Sequence, residues 1–302
     1  MGIASQDAVK QFKDLVDQVD EPMKKTFENM HQGYPIETLI RFLKARDWNL
    51  IKAHKMLVDC LNWRIQNEID TILAKPIVPV EVYRAIRDSQ LIGLSGYSRE
   101  GLPVFALGVG QSTFDKASVH YYVQSHIQIN EYRDRVVFPS ATKKYGRHIG
   151  MCVKVLDMTG LKLSALNQIK VVKPLLQERT RRKVQVLQGN GREELLKIMD
   201  YTSLPHFCRK AGSGSSKNSN FGADDCFSSD HYFHQQLYNY VKEQSMNLEP
   251  VLPIKQGSFH VDFPDTDPEG KKIAQTIECE FHKLGDRNGL SRTFSGININ
   301  SE

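Results

Sequence analysis

The hydrophobic pattern changes its period at Pro76 and Pro79, and that change divides what the two parts of the chain can fold into. Ahead of it, Val9, Phe12, Leu15, Val16, Val19, Met23, Phe27 and Met30 recur every three or four positions. This is the stripe of an amphipathic helix, which Pro22 breaks or kinks near its middle. A second helical block follows Pro35 with Leu39, Ile40 and Leu43 on one face, and a third follows Asp47 with Ile51, Met56, Leu57, Cys60, Leu61 and Trp63. Residues 1–75 read as a helical module.

Beyond the prolines, Leu91-Ile92-Gly93-Leu94 and Val104-Phe105-Ala106-Leu107 flank a turn-rich stretch at 98–103, which predicts paired strands. A helix is predicted over 118–137, with Val119, Tyr122, Val123, Ile127 and Tyr132 among its apolar positions. Residues 150–157 read as a buried strand ending in Asp157. Helical character over 163–182, a strand at Val184–Leu187 and a helix at Glu193–Met199 follow. The alternation predicts an α/β domain over 76–210 with a mixed, largely parallel sheet. Residues 211–225 read as a flexible linker, and 226–302 as a helical and irregular extension with helices near 231–241 and 273–284.

With 302 residues, 40% of them hydrophobic, the chain has material for one large or two modest cores. A net charge of +5 is too slight to favour a nucleic-acid partner. The five cysteines, Cys60, Cys152, Cys208, Cys226 and Cys279, never form a C-x-x-C pair, which fits reduced thiols in the cytoplasm. No apolar run approaches the ~20 residues of a membrane span. Gln6 stands where an N-myristoylation signal wants Ser or Thr, so neither leader nor lipid anchor is expected.

No G-x-S-x-G elbow occurs, and Gly212–Lys217 has the wrong spacing for a phosphate loop, so no enzyme is expected. Cys226, His231 and His234 fall close in sequence, but without a second cysteine pair they read as a solvated helix surface, with no metal and no cofactor. Lys170, Lys173, Arg179, Arg181, Arg182 and Lys183 cluster among apolar Val171, Val172, Leu175 and Leu176, opposed by Glu178 alone. Such a segment can present cations to an anionic membrane surface.

The run from Leu39 to Trp48, followed by Ala53, Met56, Leu57 and Trp63-Arg64, closely resembles the N-terminal module of the CRAL-TRIO lipid-transfer family. Gly101–Val104, the strand into Asp157, Val172–Leu176 and Leu204-Pro205 resemble its yeast-type phosphatidylinositol transfer members, and the tail from Phe227 through Val261 resembles the plant ones. The resemblance implies a helical module packed on a sheet that floors a hydrophobic lipid cavity. Arg46, Thr180 and Lys183 match residues associated with the inositol phosphate. On the choline side Tyr132 matches, while Phe105, Cys152 and Lys154 replace a tyrosine and two hydroxyl residues.

One segment departs from the family. Members carry a strand-helix-strand unit where this chain passes from Asp157 through Leu161–Lys170 directly to Val171 and Pro174, with the shortening near 161–171. Such a unit needs ~30 residues, so the sheet is expected to lack one strand. The resemblance then implies a monomeric, cytoplasmic carrier of phosphatidylinositol, with phosphatidylcholine as a second ligand, acting peripherally on membranes such as the Golgi. The alternatives are a non-transferring, lipid-sensing or competing shortened form, and a carrier of a neutral hydrophobic ligand.

Overall fold

A computed structural model describes residues 3–161, 182–209 and 225–247. Residues 1–159 with 188–259 form one compact unit, and 160–187 with 260–302 belong to a second.

The first unit begins with the expected helical module. Helices α1 (Ile3–Val16), α2 (Glu21–His31), α3 (Pro35–Ala45) and α4 (Leu50–Gln66) bury Phe12, Phe27, Leu39, Leu43, Leu57 and Leu61 in one cluster. The break foreseen at Pro22 is an N-terminus: the Asp20 carboxylate accepts from the Met23 amide at 2.9 Å, and proline occupies the first turn, where a missing N–H costs nothing. Asn49 caps α4 in the same way, accepting from the Lys52 amide at 3.0 Å.

A 3-10 helix at Ile69–Ala74 leads to α5 (Val80–Ser89) and then to the strands β1 (Ile92–Tyr97) and β2 (Pro103–Gly108), the predicted pair. Gly101 turns the chain between them at φ +82°, a conformation that favours glycine, with its amide donating to the Ser98 carbonyl. The predicted long helix is α6 (Val119–Tyr132), which widens into a π-helical turn at Arg133–Val137 and continues as α7 (Phe138–Tyr145). Strand β3 (Val153–Asp157) pairs parallel with β2, so the described sheet has the order β1-β2-β3 with one antiparallel and one parallel pairing. Short helices α8 (Arg192–Leu195) and α9 (His206–Arg209) and the longer α10 (Tyr232–Met246) complete the unit.

Two expectations are corrected. Strand β3 is not buried: it ends the described sheet, its alternate residues Lys154 and Leu156 are exposed, and Leu156 retains 52% of its surface. Residues 184–187, in the second unit, form no strand and are mostly exposed, since a strand exists only through a ladder and none pairs with them among the described residues. The predicted helix at 193–199 shortens to α8 and turns. Residues 163–181, 211–224 and 273–284, read as helix, linker and helix, lie outside the described residues.

A buried ionic cluster joins the module to the sheet domain. Arg64 of α4 donates to both Glu131 oxygens at 2.8 Å and to Asp70 at 2.9 Å, and Arg135 donates to Glu131 at 3.0 Å. Asn29 of α2 donates to the other Asp70 oxygen at 3.0 Å. The side chains of Arg64 and Glu131 keep only 9% and 8% of their surface. Breaking such a pair strands a buried charge, so Glu131→Ala is expected to cost about 3–5 kcal/mol, read as a lower urea midpoint at unchanged slope.

Burial would raise the Asp70 carboxyl, but hydrogen bonds from Asn29 and Arg64 and the Arg64 charge outweigh it and hold it below its ordinary value. A carboxyl lowered on folding binds more protons when unfolded. Its contribution is present above the unfolded value, about pH 4, and is lost as pH falls through the folded one. Asp70→Asn should therefore be less stable at pH 7 and lose less on acidification than the parent, as followed by thermal unfolding from pH 7 to pH 3.

Candidate functional site

Register decides which side chains share a sheet face. Leu94 pairs with Phe105 and Ile92 with Leu107, while Phe105 and Leu107 pair with Lys154 and Leu156, so these six residues share one face. Gly93, Ala106 and Val155 point to the other. There a Cβ on Gly93 would overlap the Cys226 carbonyl oxygen, so glycine lets the two backbones meet.

The first face carries the choline-side residues taken from the resemblance. Phe105 and Tyr132 are buried in one aromatic cluster, 3% and 5% exposed, and Cys152 packs against it. Phe233 of α10 meets them edge-on, 5.7 Å from Phe105 and 5.9 Å from Tyr132 between ring centroids. Burial, with neighbouring tyrosines behind it, pushes the Tyr132 hydroxyl up to about 12. The structure thus brings Phe105, Tyr132 and Cys152 together, with Lys154 beside Phe105 on β3, the last strand of the described sheet. Phe233 occupies the space in front of the two rings.

Open volume lies further along the same face. A cavity of about 580 Å³ lies between Ile92 and Leu107 of the sheet and Val119, Tyr122, Val123, His126 and Ile127 of α6, with Phe114 at its side. Its lining is mostly apolar, which suits a hydrophobic ligand of moderate size. Gln90 and Ser112 supply polar groups at one end. Partial burial, then the charges of Lys154, Arg87 and Arg133, hold the His126 imidazole below its ordinary value, so it is neutral at pH 7. Behind Gln90 stands the fully buried Arg87, which donates to Gln90 Oε1 at 3.0 Å and lies 5.7 Å from the Tyr83 ring centroid. Several lining residues are the apolar positions that predicted β1, β2 and α6. Gln90, Ser112 and Arg87 carried no signal in the sequence.

Of the headgroup residues, Arg46 and Lys183 belong to different units and Thr180 lies outside the described residues. Arg46 ends α3, half-buried, its Nη1 donating to the Ala45 carbonyl at 3.2 Å. Lys183 and Arg182 are exposed and belong to the second unit. Thr180, Lys170, Lys173, Arg179 and Arg181 lie outside the described residues.

The histidines of the extension correct another expectation. His234 is 1% exposed rather than solvated, and its Nε2 donates to the Cys226 carbonyl at 3.1 Å. His231 caps α10, its Nδ1 accepting from the Phe233 amide at 3.3 Å. The side chains that meet the Cys226 thiol are His206 and Asp225.

A four-helix module ahead of a small mixed sheet, with an apolar cavity on one sheet face, defines an α/β protein. Residues 8–59 match the CRAL/TRIO N-terminal domain. The chain is 27% identical over 236 residues to the phosphatidylinositol/phosphatidylcholine transfer protein SFH9 of Arabidopsis thaliana, covering 64% of this chain and 40% of that protein. It is 25% identical over 236 residues to SFH11 of the same plant, covering 62% of each. Over 77 residues it is 39% identical to the protein real-time of Drosophila melanogaster, 24% of this chain and 11% of that protein. The chain is thus similar to the CRAL-TRIO family in its N-terminal module and, more distantly, to plant transfer proteins over about two thirds of its length. It spans between 40% and 62% of the length of the first two of these relatives.

Proposed function

We propose that this protein binds one phospholipid, phosphatidylinositol in the first place, and exchanges it between membranes without covalent chemistry. The observation that carries the reading is the apolar cavity between β1, β2 and α6 in a chain that bears the CRAL/TRIO N-terminal module. The plant relatives, phosphatidylinositol/phosphatidylcholine transfer proteins, support both the ligand class and, as a second ligand, phosphatidylcholine. In this reading an acyl chain enters the cavity. Arg46, Thr180 and Lys183 hold the inositol phosphate, because two cations and a hydroxyl supply charge-assisted hydrogen bonds to a phosphate leaving water. Phe105, Tyr132, Cys152 and Lys154 form the choline-side wall. The domain limits at 75, 210 and 225 belong to the same proposal, as do a monomeric state and a cytoplasmic protein peripheral on membranes such as the Golgi.

Native mass spectrometry of the purified chain, with lipid extraction, tests this directly. Phosphatidylinositol is expected to copurify at one per chain. Val123→Trp, which fills the cavity, should reduce bound lipid, and Lys183→Ala should weaken phosphatidylinositol binding by about tenfold or more, the scale of one charged hydrogen bond. Equal lipid loading in both variants would overturn the assignment.

Membrane contact is assigned to Lys170, Lys173, Arg179, Arg181 and Arg182. No described helix is long and apolar enough to cross a bilayer. Each cation near an anionic surface contributes about 1 kcal/mol within a Debye length. Cosedimentation with phosphatidylserine vesicles should fall between 50 and 500 mM salt; insensitivity to salt would argue against this docking.

A second reading, a lipid-binding but non-transferring form, draws on the exposed Leu156 at the end of the described sheet. A vesicle-to-vesicle transfer assay separates the two. Loaded protein that fails to move lipid supports the second.

A further inference from the structure

The cluster around Cys226 lies on the sheet face opposite the lipid cavity and has no part in the proposed carrier function. His206 belongs to α9, and Asp225 and Cys226 stand just ahead of the segment that leads into α10. His206 Nδ1 is 3.1 Å from an Asp225 carboxylate oxygen and 3.8 Å from Cys226 Sγ, and all three ligating atoms lie within 4.8 Å of one another. In tetrahedral zinc sites, bonds of about 2.3 Å to sulfur and about 2.0–2.1 Å to nitrogen and oxygen put ligand atoms roughly 3.3 Å apart for nitrogen and oxygen and roughly 3.5 Å apart for nitrogen and sulfur. The two measured separations fall within a few tenths of an ångström of those edges.

We propose that His206, Asp225 and Cys226 supply three ligands of a zinc site. One thiolate, one imidazole and one carboxylate make a mixed soft and borderline donor set, which suits zinc and excludes the all-oxygen preference of calcium and magnesium. Cys226 is buried, whereas His206 and Asp225 are half-buried, so water reaches the site from one side.

The donors are held in place by their surroundings. The His206 ring stands perpendicular to Phe207 and Phe227, 5.4 and 5.0 Å away, and those two rings stack at 5.9 Å. Asp225 also accepts from the Phe227 amide at 2.8 Å. The Cys226 backbone is fixed by its contact with Gly93 and by the His234 hydrogen bond. A metal here would join α9 to the start of the α10 segment, so metal affinity would appear as fold stability. The site departs from the sequence expectation, which paired Cys226 with His231 and His234.

The test uses the full chain. After zinc loading and exhaustive dialysis, elemental analysis is expected to find one zinc per chain. Cobalt(II) titration should give a near-ultraviolet thiolate-to-cobalt charge-transfer band. Cys226→Ser should abolish the band and lower retained zinc by well over tenfold, since even outer-sphere changes cost metal sites about ten- to a hundredfold. A chelator should lower the melting temperature of the parent and leave that of the variant unchanged. If Cys226→Ser does not fold, by circular dichroism, His206→Gln at its half-buried position takes its place, with loss of retained zinc as the readout. A parent chain that retains no zinc beyond the folded variant, or shows no thiolate band, overturns the proposal and leaves a His206–Asp225 contact beside a buried thiol.

Discussion

Four charges that cancel, Arg64 and Arg135 against Asp70 and Glu131, tie the helical module to the sheet domain. They come from α4, the 3-10 helix at 69–74, α6 and the π-helical turn after it. The cluster therefore fixes the helix that walls the cavity relative to the module that carries Arg46. Hydrophobic packing would hold these elements together without specifying register. Paired charges in a poorly solvated site accept few geometries, because a shift that separates them leaves each ion without water. The π-helical turn follows directly on Tyr132, so the widened helix lies beside both the ionic cluster and the aromatic one.

The same contrast runs through the sheet. On its first face, aromatic and aliphatic side chains from β1, β2, α6 and α10 fill the centre and leave volume toward the Ile92–Leu107 pair. On its second face the described residues pack close: Gly93 lies against the Cys226 backbone, and Ala106 packs with Cys226 and Phe227. Small residues bring the chain close on one face while large residues hold it off on the other, and a one-sided cavity follows.

Much of this was legible in the residues. Helices α1 to α4, the β1–β2 pair and α6 were given by apolar spacing, because each buries a single stripe or alternates across a pleat. The apolar residues that line the cavity were visible as positions, though not as a cavity. Contacts distant in sequence were hidden. His234 looked solvated because a histidine in a polar stretch carries no mark of burial, and only the return of α10 to Gly93 and Ile92 encloses it. Phe105 and Tyr132 looked like a pocket wall, and only Phe233, far along the chain, shows what packs in front of them. Strand β3 read as buried because its apolar content says nothing about whether a neighbour lies on its far side.

The return of α10 to the sheet also sets an order of events during synthesis. The module's described cluster draws on residues between Ala8 and Leu61, so it can close as soon as those residues are available. The sheet cannot. Phe105 waits for Phe233, Leu237 and Val241, which at ordinary elongation rates of about 5–20 residues per second emerge roughly ten seconds later. For that interval the nascent chain carries a folded helical head and an uncovered apolar sheet face, the kind of surface that chaperones engage.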